Sequence, residues 1–99
     1  MMAFTDLCRQ CISDIEEIES VFDLSTSRCR DWAVARHKMA DLKTRWKNLL
    51  KQYRDTEFES VLRRAFTKIN VRSNSVPDGR WLSELYAARG KFINYLGKY

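Results

Sequence analysis

The spacing closest to a metal or redox centre in this 99-residue chain is Cys8-Arg9-Gln10-Cys11, a CxxC that Cys29 and His37 could extend to Cys-x2-Cys-x17-Cys-x7-His. Zinc takes such ligands in a closed tetrahedron, so all four side chains must aim at one point. Here they diverge. Cys8 and Cys11 fall on the apolar stripe of one helical pattern, whereas His37 falls on the outer side of the next. The expectation is core cysteines, with no metal and no cofactor. Three cysteines cannot all pair within one chain, which suits a reducing intracellular compartment, cytoplasm or nucleus. One histidine, no glycine-rich phosphate loop, no HExxH and no paired buried carboxylates leave no base or nucleophile to assign. No enzyme activity is expected.

The basic residues offer another chemistry. Lys43, Lys47 and Lys51 recur every four residues, and Arg36 and Arg54 continue that ladder. Like charges at this spacing repel by roughly 0.2–0.5 kcal/mol per pair, so a helix keeps them when something acidic offsets them. Arg63, Arg64 and Lys68 could extend the surface. These eight are candidate contacts to the phosphate backbone of duplex RNA or DNA, with little sequence readout. An acidic or helical protein partner would meet the same chemistry, and a solvated helix face is the plainer alternative. The net charge of +5 is unevenly spread: residues 1–24 carry six carboxylates against Arg9 alone, and residues 25–54 carry nine Lys or Arg against Asp31 and Asp41. Arg36, Lys38, Lys43 and Arg45 flank an apolar seam and can face the acidic first helix. Lys47, Lys51 and Arg54 lie past its expected reach.

Two short phrases resemble known families. Leu7-Cys8-Arg9-Gln10-Cys11 resembles the opening of the zinc-finger-associated domains of insect transcription factors, but the second CxxC of those domains is missing. Arg45-Trp46-Lys47-Asn48-Leu49-Leu50-Lys51-Gln52-Tyr53-Arg54 resembles the third helix of MADF and other Myb/SANT-like domains. That resemblance implies a last helix bearing on DNA. The earlier aromatic helices of those domains are absent.

The elements that must position these residues are helical. Three glycines and one proline are too few turn formers for an all-β domain. A hydrophobic fraction of 44% is too high for a disordered chain, and no apolar run approaches a membrane span. One domain, 1–99, is the size limit of a single core here. Phe4, Cys8, Cys11, Ile15, Ile18 and Phe22 alternate at spacings of four and three, as do Trp32, Ala35, Met39, Leu42, Trp46, Leu49 and Tyr53. Thr56 and Glu59 have capping-box form, and residues 70–79 hold turn chemistry. The fold class expected is an all-α four-helix bundle, with helices at about 3–23, 28–54, 57–70 and 79–97, built on a long antiparallel hairpin of the first two. Facing residues in that hairpin have numbers that sum to 50, setting Phe4 opposite Trp46 and Asp14 beside Lys38. Trp32, Trp46 and Trp81 read as core. Leu49, Leu50 and Tyr53 overhang the first helix and need the later helices or a second copy, so a homodimer is expected.

Overall fold

A computed structural model describes residues 2–99. Among these residues four helices carry the fold: α1 (Phe4–Glu19), α2 (Trp32–Gln52), α3 (Glu57–Phe66) and α4 (Gly79–Leu96). A two-residue antiparallel hairpin of β1 (Phe22–Asp23) and β2 (Arg28–Cys29) joins α1 to α2. The all-helical class stands. Helix α4 packs most extensively, against α3 and α1, so the α1–α2 pairing is not the dominant seam.

Local chemistry sets the helix ends. Asp31, Thr56 and Asp78 each cap a helix by accepting a backbone N–H, from Val34, Glu59 and Arg80 respectively. Helix α1 stops at Glu19, short of the expected 23, because the following Ser/Thr/Asp run supplies its own hydrogen bonds. The Asp23 carboxylate accepts from both the backbone N–H and the hydroxyl of Ser25, at 3.0 and 2.7 Å, and Ser27 turns back at a φ of 59°. Phe22 is still buried, but from a hairpin strand, and Val21 from the turn before it. Helix α3 likewise ends at Phe66 where 70 was expected; Ile69 and Val71 are buried from a non-helical segment.

The connector shifts the α1–α2 register. Lys38 reaches Glu17 at 2.7 Å, Arg45 reaches Asp14 at 2.9 Å, and the Phe4 ring meets Tyr53 edge-on at 6.2 Å. Asp14 was expected beside Lys38 and Phe4 opposite Trp46; both observed partners lie seven residues further along α2. One heptad is about 10 Å of helix at ~1.5 Å per residue. Helix α2 therefore begins beyond the end of α1, which leaves Trp32 48% exposed and corrects its expected place in the core. At the other end Tyr53 no longer overhangs, since Phe4 and Phe58 enclose it. Leu49 and Leu50 also pack on the core within one chain.

Trp46 is the hub. Its fully buried ring takes Phe66 and Phe92 edge-on at 5.6 and 5.5 Å, and its indole N–H donates to Asp14 at 3.1 Å. One side chain thus ties all four helices together, with aromatic pairs of this geometry adding about 0.5–1.5 kcal/mol each beyond their buried area.

Candidate nucleic-acid interface

At 3.6 residues per turn, the charges of α2 divide between two flanks of its buried stripe, Ala35, Met39, Leu42 and Trp46. Lys38 and Arg45 occupy the flank facing α1 and are matched there by Glu17 and Asp14. Burial of Glu19 raises its pKa against the pull of Arg89, which pairs with it at 2.9 Å from α4. The acidic helix and Lys38, Arg45 and Arg89 therefore neutralise each other along this side, whereas Arg36 and Lys43, expected to face α1 as well, lie on the other flank of α2.

Arg36, Lys43, Lys47 and Arg54 share the opposite flank, toward α3, with Lys51 further out. The structure separates these five. Arg36 lies over the Trp32 ring at 5.3 Å and donates its Nε–H to the Ser75 carbonyl at 3.0 Å. Lys43 donates from Nζ to the Val71 carbonyl at 2.6 Å; burial lowers its pKa, reinforced by Lys47 and opposed by Glu84. Both are engaged inside the chain. They hold segment 70–78, which Glu84 also anchors by accepting the N–H groups of Asn70 and Val71 at 2.5 and 2.8 Å. The Trp81 indole adds a bond to the Ser75 hydroxyl at 3.0 Å. Lys47, Lys51 and Arg54 are exposed and have no ion pair among the described residues.

Helix α3 divides its basic residues in the same way. Arg63 is one turn from Phe66, which packs on Trp46, so it sits on the α2 flank, where it approaches Glu59 at 3.7 Å. Arg64 is about 100° further round and faces α4. There it lines a cleft of about 140 Å³ together with Lys91, Asn94, Tyr95 and Lys98. Lys68 follows the end of α3 and is exposed. The sequence candidates do not include Lys91 and Lys98, because the dominant pattern of α4 is its apolar face. Their i, i+7 spacing beside buried Tyr95 was the available signal.

Cys8 and Cys11 are fully buried, and burial pushes the Cys8 thiol up to about 11 and Cys11 further. His37 is exposed on α2 and lies 3.3 Å from Asp41. No group of three or more His, Cys, Asp and Glu among the described residues is placed to hold a metal ion. No helix of the described residues is long and apolar enough to cross a membrane. Compared with known proteins, the chain matches no family model, no curated protein and no solved structure. The two short resemblances therefore carry no further argument, and the function rests on the charges described above.

Proposed function

We propose that this chain is a non-enzymatic, intracellular nucleic-acid-binding module that contacts the phosphate backbone with little sequence readout. One observation carries the reading: cations facing α1 have carboxylate partners, whereas Lys47, Lys51, Arg54, Arg64, Lys68, Lys91 and Lys98, on the α2, α3 and α4 side, have none among the described residues. Unmatched cations spread over three helices and the segments just beyond their ends suit a polyanion better than a small acidic ligand, and counterion release would supply most of the affinity. The free thiols of Cys8, Cys11 and Cys29 fit a reducing compartment. A gel shift with duplex RNA, duplex DNA and single strands, repeated over a salt series, tests the reading. Salt-sensitive binding is expected, and no binding at low salt refutes it.

A second reading, self-association as an assembly module, is favoured by the outer face of α4. Ser83, Tyr86, Gly90, Ile93 and Gly97 are a strip of uncharged residues on a protein with 31% charged residues, with Tyr86 and Ile93 40% and 51% exposed and the Arg89 guanidinium over the Tyr86 ring at 5.0 Å. A homodimer through this strip would pack the hairpin of α1 and α2 away from the contact. Sedimentation equilibrium of the wild type and of Ile93→Lys decides it: a dimer abolished by the lysine supports the reading, and a monomeric wild type removes it.

A further inference from the structure

We propose that the cleft between α3 and α4 seats a single phosphate group of a nucleic-acid strand. The strand as source rests on the reading above; the chemistry rests on the cleft alone. Arg64 from α3, Lys91 from α4 and Lys98 just beyond the end of α4 line it with no carboxylate among the lining residues. None of the three has an ion pair among the described residues. Three like charges brought to one cleft repel unless an anion joins them. An arginine fork with two lysine point charges is the combination that phosphate recognition uses.

Neutral donors complete the set. Asn94 also lines the cleft and carries an amide NH2 able to donate. Tyr95 is 4% exposed, and its hydroxyl accepts from Tyr99 at 3.1 Å, which leaves its own proton without an acceptor among the described residues. Burial raises its pKa and keeps that phenol protonated. Glu57, at the start of α3, acts on Tyr95 but does not line the cleft. The cleft, about 140 Å³ and open to solvent, has room for a tetrahedral oxyanion. The wider groove along α1 and α2, about 280 Å³, is a poorer candidate because Arg45–Asp14 and Lys38–Glu17 already satisfy its charges.

Nuclear magnetic resonance of the full chain tests the cleft, with sodium phosphate titrated against sodium chloride at matched ionic strength. Saturable shifts are expected at the Asn94 side-chain amide and at the backbone of Arg64, Lys91 and Lys98. The double change Lys91→Ala and Lys98→Ala should weaken phosphate binding by roughly tenfold or more per lysine, as loss of a charge-assisted contact implies. Should the double variant not fold, Lys98→Glu, at an exposed position, carries the same test. Equal shifts with chloride, or phosphate shifts confined to Lys47 and Lys51, overturn the cleft even where duplexes bind. Cleft shifts with phosphate, combined with duplex affinity that ignores the lysine changes, overturn the strand as its source. Loss of both phosphate and duplex binding in the same variant supports the whole proposal.

Discussion

Replacing Lys47, Lys51 and Arg54 together by alanine removes three exposed, unpaired cations and leaves the aromatic hub around Trp46 untouched. If each neutralises one phosphate of a B-form duplex, each adds about 0.9 to the negative slope of log affinity against log salt. The triple variant should then show a slope flatter by about 2.7. Over a fourfold rise in salt, the wild type should lose about 40-fold more affinity than the variant. Fluorescence anisotropy with a labelled duplex at several salt concentrations reads this directly. Lys43→Ala is the control that the structure supplies, since its ammonium already serves the Val71 carbonyl. It should leave the slope unchanged and instead cost roughly 1–3 kcal/mol in urea unfolding, as a half-buried carbonyl loses its donor. A triple variant with the wild-type slope, or a Lys43→Ala slope as flat as that of any ladder residue, refutes the division of α2 into structural and unengaged cations.

Asp14→Ala should destabilise the fold by roughly 1–3 kcal/mol, because the buried Trp46 N–H loses its acceptor; urea unfolding with a loss under about 0.5 kcal/mol would show that water replaces the carboxylate. The Ser25 hydrogen bonds hold the Asp23 carboxyl below the usual aspartate range. A depressed folded pKa gives stability that is present above the unfolded value, about 3.9, and lost as pH falls through the lower folded one. The Ser25 amide shift should accordingly have its midpoint below about 3.9, and a midpoint above it would mean the turn does not bind the ionised carboxylate. For the register, Glu17→Cys with Lys38→Cys, in a Cys29→Ser background, should be joined within one chain by a short bis-maleimide. The pair Asp14→Cys and Lys38→Cys, the register read from sequence, should link less, and the reverse order of yields would restore that register.

The four helices and both α1 and α2 stripes are legible in the sequence because burial follows the helical period: Cys8, Cys11, Ile15, Ile18, Ala35, Met39, Leu42 and Trp46 are all fully buried. Register is a different kind of information. A pattern that repeats every seven residues looks the same after a slip of seven, so the stripes accept Phe4 against Trp46 or against Tyr53 equally well. The hairpin at residues 22–29 decides between them, and its short strands carry no periodic signal. Its Asx turn at Asp23 and left-handed Ser27 are consequences of local hydrogen bonding. The same slip exposes Trp32, which the stripe alone assigns to the core.

The candidate surface was only partly legible for a related reason. A helical ladder can be counted in one dimension, but whether a cation is engaged depends on which loop crosses it. Segment 70–78 is polar in sequence, yet it is the carbonyls of Val71 and Ser75 that claim Lys43 and Arg36. Backbone acceptors have no residue type, so composition cannot announce them. Conversely, Arg64 acquires its neighbours from α4, some thirty residues away, once Glu84 has anchored the start of the connecting segment and α3 and α4 lie side by side. The basic surplus read as one ladder therefore includes four populations: cations matched to α1, cations that hold a loop, the exposed Lys47, Lys51 and Arg54, and cations that meet across helices. The last two populations are the ones without carboxylate partners among the described residues.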